Sequence, residues 1–412
     1  MNKSVLVIGF NTRPLVYSLF KSGYRVLAID FFGDEDLYPY VEDSVILTKE
    51  LGSDYRALKD TYSDILADFT IDYIKSNPNV DSIIIGSGLD DAIEQREKIY
   101  RELDKCSMLI QNLNNDIQII KKARDIFSLY KYLGDIEYKT PLTIPFERFH
   151  HKSDSIRFPF ILKKKSSAGG TSVFKIRDHH HFQNLIDVLN IAKDSSEWII
   201  QEFIQGNPIS STIISNGEES ELISINRQII GLAFLNPPKN FMYCGNVVPS
   251  YIREDLKETI TEISIKLTHK LGLKGINGFD FVVRDGNPYL MEINPRIPGS
   301  IRASEEAFNL NLLDLHVKSF RDNSWPEIRN SIRNSERKNY ATKLIFFAPK
   351  RITPKEVKQI NNLEFVHDKT ISTNYIEKDS PVCSILYNNK TFANSYFGAL
   401  KIADKIKLII NH

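Results

Sequence analysis

The stretch Asn277–Ser300, NGFDFVVRDGNPYLMEINPRIPGS, constrains this chain more than any other. The runs Ile276–Val283 and Tyr289–Asn294 fit short strands, and Arg284–Pro288 between them is a glycine-bearing loop of hairpin length. A hairpin symmetric about Gly286 sets Asp280 opposite Glu292 and Gly278 opposite Asn294. Side chains alternate faces along a strand, so Glu292 and Asn294 point the same way. Two carboxylates and a carboxamide then converge on one face, with Arg296 just past its end. Like charges directly opposite in a sheet repel, and a cation between them removes that penalty. Oxygen ligands of this kind suit Mg²⁺, which takes one or two carboxylates and completes its shell with water and nucleotide phosphates. The competing reading is a solvated antiparallel face carrying ordinary surface acids.

A chain of 412 residues predicts two to four domains. Its 42% hydrophobic and 25% charged residues are those of a soluble globular protein, and a net charge of +1 gives no reason to expect nucleic acid or an anionic membrane as partner. No apolar run approaches a membrane span, and Met1-Asn2-Lys3 leads into a strand rather than a signal peptide. Cys106, Cys244 and Cys383 are too scattered for a disulfide framework or a zinc cluster. A cytoplasmic location is expected.

The opening reads as strand, helix and strand: SVLVI to Gly9, an amphipathic stretch, then YRVLAID ending in Asp30. A further buried strand, Ser82–Ile85, ends in GSGLDD, so a parallel α/β sheet is predicted. Gly9 alone is not the three-glycine dinucleotide fingerprint, which argues against NAD. The loops Asn11–Arg13 and Gly86–Asp91 follow strand ends, where open sheets bind ligands. Asp116–Leu133 has helical periodicity and TPLTIPF breaks it, which puts a boundary between residues 115 and 145.

Phe158–Ile176, FPFILKKKSSAGGTSVFKI, reads as strand, small-residue loop and strand. Ser166, Ser167, Ala168, Gly169, Gly170 and Thr171 let backbone N–H groups approach phosphate oxygens, and Lys163 adds positive charge. A flexible hairpin tip with a basic flank is the alternative. Glu197–Ile204, EWIIQEFI, is a buried strand that leaves its sheet at Gly206-Asn207-Pro208; free backbone groups there suit a purine amine, and a plain edge strand is the alternative. Short strands are expected at Ser210–Ile214, Glu221–Asn226 and Arg227–Phe234, and a substrate-facing loop in NPPKNFMYCGNVVPSYIRE. Helices are expected at Asp255–Leu271 and Ser304–Phe320. A polar connection over 321–339 leads to a small α+β segment with strands at Ala341–Phe347 and Pro381–Leu386 and a helix at Ser395–Ile410. His179, His180 and His181 cannot all face one metal, so they read as a surface turn where a helix should start, and His150-His151 read likewise. Nothing pairs Ser or Cys with His as a nucleophile.

These pieces, in this order, resemble the ATP-grasp superfamily over about residues 1–320. The most specific part is Asp280-Phe281 followed after a short spacer by MEINPR. Within it the chain is similar to the predicted carboligases related to biotin carboxylase, whose chains also begin with VLVIGFNTRP-like and DFFGD-like stretches. The resemblance implies a mixed α/β and α+β fold of ATP-grasp architecture. Its parts are an N-terminal parallel α/β domain (1–115), a two-lobed grasp region (116–325, lid about 145–205) and a small C-terminal α+β domain (326–412). It further implies that Lys163 holds α- and β-phosphates, that Gly169, Gly170 and Thr171 close over ATP, and that Gln201, Glu202, Phe203 and Ile204 form the adenine hinge. Glu202 would reach the adenine amino group. Asp280, Glu292 and Asn294 would carry Mg²⁺, with Mn²⁺ as the alternative, and Arg296 would steady the transferred phosphate. Pro208 departs from the pattern where relatives hold ribose with an acid, and the additional phosphate lysine falls among Lys121, Lys122 and Arg124. The implied activity is a carboxylate–amine ligase working through an acylphosphate on small-molecule substrates, as a monomer or homodimer. Carboxyphosphate chemistry on a separate carrier and a non-catalytic nucleotide module are the alternatives.

Overall fold

A computed structural model describes residues 3–53, 55–105, 110–149, 156–165 and 169–411. Cys106, His150, His151 and Ser166–Ala168 lie outside them. Three sheets organise the chain. The first is parallel, in the order Asp43–Ile46, Arg25–Asp30, Ser4–Gly9, Ser82–Ile85, Gln111–Asn112. Its middle strand is flanked by the second and fourth strands of the chain, so the order reverses at Ser4–Gly9, and a crevice opens at the carboxyl ends there. The loops after Gly9 and Ile85 meet in it, with Phe10 N–H donating to the Ser87 carbonyl at 2.9 Å. Asp30 accepts from Thr12 N and Oγ1, Phe32 N and Gly33 N at 2.6–2.9 Å, so it pins the turn rather than waiting for a ribose.

A four-stranded antiparallel sheet (Thr143–Pro145, Trp198–Glu202, Phe160–Lys164, Val173–Ile176) forms the lid. Phe160, Leu162, Trp198 and Ile200 bury one face against Phe182 of the helix His179–Leu189. The three histidines are the first turn of that helix rather than a loop, because the Asp178 side chain caps it by accepting from His181 N at 2.8 Å.

The third sheet has eight antiparallel strands in the order Asn287–Asn294, Lys274–Arg284, Asn207–Asn216, Ser220–Ile230, Tyr243–Val248, Tyr340–Phe347, Pro381–Asn389, Val366–His367. The C-terminal α+β segment is thus continuous with the grasp sheet: Tyr340–Phe347 pairs with Tyr243–Val248 on one side and Pro381–Asn389 on the other. Helix Phe392–Asn411 covers this end through Ala399, Ile402 and Ile406. No helix among the described residues is long and apolar enough to cross a membrane.

Several elements differ from periodicity alone, for capping reasons. Asp116–Leu133 is two helices, Ile117–Arg124 and Ile126–Asp135, because Asp125 leaves helical geometry and accepts from Ser128 N. Ser304–Phe320 is Ile301–Phe308 and Leu312–Lys318, split where Asn309 is left-handed and Asn311 caps the next turn. The two strands expected over 221–234 are one, Ser220–Ile230, followed by a 3₁₀ turn. The connection 321–339 contains the helix Trp325–Arg333, which buries Trp325 and Ile328.

His316 clamps the parallel sheet to the grasp sheet. Ile276 N–H donates to its Nδ1 and its Nε2 donates to the Leu113 carbonyl, both at 3.0 Å. Both ring nitrogens are used by the neutral form, and burial pushes its pKa down to about 4 from 6.5. An unfolded chain takes up this proton near 6.5, so the stability His316 supplies is complete above that pH and is lost as pH falls through 4. His316→Leu leaves two buried backbone groups unpaired and is expected to cost about 2–4 kcal/mol at pH 7. In urea titrations the gap between wild type and variant should shrink from pH 7 to pH 4; a constant gap contradicts the neutral clamp.

Candidate active site

The acidic hairpin reaches its register by a different route from a symmetric loop. Asp285 (φ 52°) and Gly286 (φ 76°) form a tight two-residue turn with Arg284 opposite Asn287. Positive φ at both central positions is the type I′ requirement, which Asp-Gly meets. From there the ladder runs to Phe281 opposite Leu290; a bulge then leaves Met291 unpaired, and Asp280 faces Glu292 and Gly278 faces Asn294. Without the bulge the same turn would oppose Asp280 to Met291 and send Glu292 to the other face.

Asp280 is held on both oxygens: Gln228 Nε2 donates to Oδ1 at 2.8 Å and Asn294 Nδ2 to Oδ2 at 3.0 Å. Burial, reinforced by the Glu292 charge, pushes its pKa up to about 7. The pair therefore has a deficit of positive charge, as a cation-binding pair should. Among the described residues no group of three or more His, Cys, Asp or Glu side chains converges. Two carboxylates and an amide fit Mg²⁺, which draws its remaining ligands from water and phosphate.

Lys163 meets this pair from the lid. Burial depresses its pKa, Glu292 opposes that shift, and the Arg124 guanidinium adds to it, so the three side chains share one field. Among the described residues the Lys163 ammonium has no hydrogen bond or ion pair. Of the basic residues on the preceding helix, Arg124 is the one in the cleft; Lys121 pairs with Glu97 in solvent. Arg124 is ion-paired to Asp91 and Arg296 to Asp90. The loop after Ile85 thus orients both guanidiniums, a role with no signature in GSGLDD itself. Gln228 left no local signal either, because its partner Asp280 lies on another strand of the sheet.

At the hinge, Gln201 turns inward and donates to Tyr130 Oη at 3.1 Å and Thr143 Oγ1 at 2.9 Å. Glu202, expected to reach the adenine amine, lines the cleft; its carboxylate lies 3.1 Å from Arg284 and accepts from Leu142 N at 3.3 Å. The chain leaves the ladder at Phe203, and Phe203, Ile204 and Pro208 line the cleft.

Gly169, Gly170 and Thr171 dock on the segment Lys239–Tyr243. Tyr243 N–H donates to the Gly169 carbonyl at 3.3 Å and Lys239 Nζ to the Thr171 carbonyl at 2.6 Å. Gly170 has φ 76°, and a Cβ there would stand 2.0 Å from the Phe241 carbonyl oxygen. Gly170→Ala is expected to weaken docking by at least about 1–2 kcal/mol, which raises the KM for ATP roughly 5–30-fold. Steady-state kinetics check this, and an unchanged KM means the loop acts undocked.

Lys163, Arg124, Asp280, Glu292, Asn294 and Arg296 line one cleft of about 1780 Å³ together with Gly169–Thr171 and Gln201–Ile204. It exceeds the roughly 300–1,000 Å³ of a single-ligand pocket. A lid sheet closing on an antiparallel sheet, with the cationic lid strand over a carboxylate pair, is the arrangement of an ATP-grasp protein. Residues 123–300 match the ATP-grasp domain model, so this part of the chain is an ATP-grasp domain. It is 29% identical over 413 residues to an uncharacterized protein of Methanocaldococcus jannaschii, covering 96% of this chain and 91% of that one. It is 28% identical over 275 residues to the tyramine–L-glutamate ligase of the same organism, covering 64% and 75%. The biotin carboxylase domain of Hydrogenobacter thermophilus 2-oxoglutarate carboxylase, solved with MgADP, ADP and bicarbonate, superposes with a TM-score of 0.73. At 14% identity over 100% of this chain and 93% of that one, this likeness is one of fold.

Proposed function

We propose that the protein is an ADP-forming carboxylate–amine ligase. The observation that carries the reading is the register pair Asp280–Glu292 with the half-buried Lys163 in the field of Glu292. Asp280, Glu292 and Asn294 would hold Mg²⁺, and the ion supplies neutralisation of the phosphate charge when bound. Lys163 and Arg296 offer fixed positive charge where the transferred phosphoryl group passes, and Asp90 keeps Arg296 aimed. Phe203 and Ile204 supply an apolar edge for the base.

A carboxylate is a poor electrophile, because an amine cannot displace oxide from it at neutral pH. Moving the γ-phosphoryl group onto a carboxylate oxygen makes that oxygen a good leaving group. The amine then attacks the acyl carbon, the C–O bond breaks, and amide, ADP and phosphate result. The acylphosphate hydrolyses in water, which gives the docked glycine loop its purpose. The likeness to a relative named for joining tyramine and L-glutamate supports the amine-ligase class. Purified protein with Mg-ATP, a carboxylate and an amine should release ADP and phosphate in proportion to amide. Release of AMP and pyrophosphate overturns the mechanism, and ADP formation driven by bicarbonate without an amine reassigns the protein to carboxylation.

A further inference from the structure

The cleft continues past Arg296 into a second charged region. Its walls are the loop after Asp30, the residues after Arg296 and two C-terminal strands, and Asp34, Ser300, Lys343 and Asp368 line it. Asp36 is satisfied, since Arg13 Nε lies 2.8 Å away and the N–H groups of Asp368 and Lys369 donate to it at 3.2 and 2.8 Å. Asp34 is not. It is only 8% exposed and accepts one hydrogen bond, from Asn11 Nδ2 at 2.9 Å. Among the described residues no cation lies within ion-pair distance of it; burial holds its carboxyl well above the usual carboxylate range, Asp368, Asp30 and Asp36 add to that, and the Arg13 charge opposes it.

The opposite sign is equally underused. Lys343 is 9% exposed; its ammonium is 4.0 Å from Asp368 Oδ2 and 3.5 Å from the Gly299 carbonyl. The neighbouring Ser300 is 5% exposed, and among the described residues neither its hydroxyl nor Asp368 Oδ1 has a partner. Buried polar groups left open in this way lose their desolvation cost only when a ligand fills them. A divalent metal does not suit the place, because the Lys343 ammonium stands beside one of its two acids.

We propose that this end of the cleft binds a zwitterion of the α-amino acid class, its ammonium against Asp34 and Asp368 and its carboxylate against Lys343 and the Ser300 hydroxyl. The ammonium supplies positive charge beside Asp34, and the carboxylate gives the Ser300 hydroxyl an acceptor and Lys343 a closer one than its contacts at 3.5 and 4.0 Å. The wall presents both signs side by side, the Lys343 ammonium 4.0 Å from Asp368 Oδ2, as recognition of a zwitterion requires. The assignment rests on the ligase reading for its role in turnover and on the wall itself for binding.

Calorimetry on the full chain, with a non-hydrolysable ATP analogue and Mg²⁺, tests it with the twenty standard L-amino acids and the N-acetyl and methyl-ester form of any that binds. At least one amino acid should bind, and each blocked form should bind at least tenfold more weakly. Asp34→Asn and Lys343→Met should each weaken the amino acid at least tenfold and leave affinity for the nucleotide analogue unchanged, which also reports that they fold. Nucleotide binding with no amino acid bound overturns the inference, and so does an N-acetyl form that binds as well as its parent. Binding is read without turnover, so wild type that binds an amino acid but releases AMP and pyrophosphate sinks the ligase reading and keeps this one.

Discussion

Glu292→Gln is expected to lower kcat for Mg-ATP turnover by about 10²–10³-fold with the fold intact. The substitution keeps the shape of the side chain and removes the charge on which the site converges. Lys163, Arg124 and Arg296 all sit in the field of Glu292, and Asp280 is its register partner. A neutral amide cannot neutralise half of a divalent ion, so the variant should also lose most of its stabilisation by Mg-ATP. That stabilisation is about 2.7 kcal/mol at a hundredfold excess over Kd for wild type. Coupled ADP-release assays and thermal shift with and without Mg²⁺ measure the two effects. Turnover within threefold of wild type would remove Glu292 from the site.

Lys163→Met should reduce turnover by a similar factor and show the opposite sign on the apo protein. Burial depresses the Lys163 pKa, so holding its charge at pH 7 works against folding. Methionine fills a similar volume without that charge, so the apo variant should melt at or above the wild-type temperature while ATP no longer raises it. A side chain kept at a cost to stability where the proposed site would meet phosphate is a functional choice. A variant that melts lower and still turns over ATP would make Lys163 a structural residue. Together the two substitutions separate the cationic lid from the acidic floor, since each removes one sign of charge from the same field.

The outlines of the site were legible because its chemistry is written into local runs. NGFDFVV and YLMEIN alternate as strands do, and the glycine-bearing run between them has hairpin length. The opposition of Asp280 and Glu292 followed from a loop of assumed symmetry; the real turn is shorter, and bulged Met291 restores the same facing pair. The helix breaks at Asp125 and Asn309 were hidden because apolar periodicity continues across them, while a cap depends on backbone angles periodicity does not report. Glu202 and Gln201 sit on the predicted hinge strand, yet their side chains are spent on Arg284, Tyr130 and Thr143. Those partners are distant in sequence, so no window around QEF could reveal them.

The sequence by itself determined the elements and their chemistry: a parallel α/β opening, a lysine before a glycine loop, and an acidic hairpin. Hydrophobic period, turn residues and charge act within a few residues, and a short run carries them in full. Only the tertiary structure decided which charges meet. It set Arg296 on Asp90 and Arg124 on Asp91, joined the C-terminal strands to the grasp sheet, and brought Asp34 and Lys343 into one wall. Electrostatic pairing depends on distance and burial, and both come into being when segments hundreds of residues apart pack together.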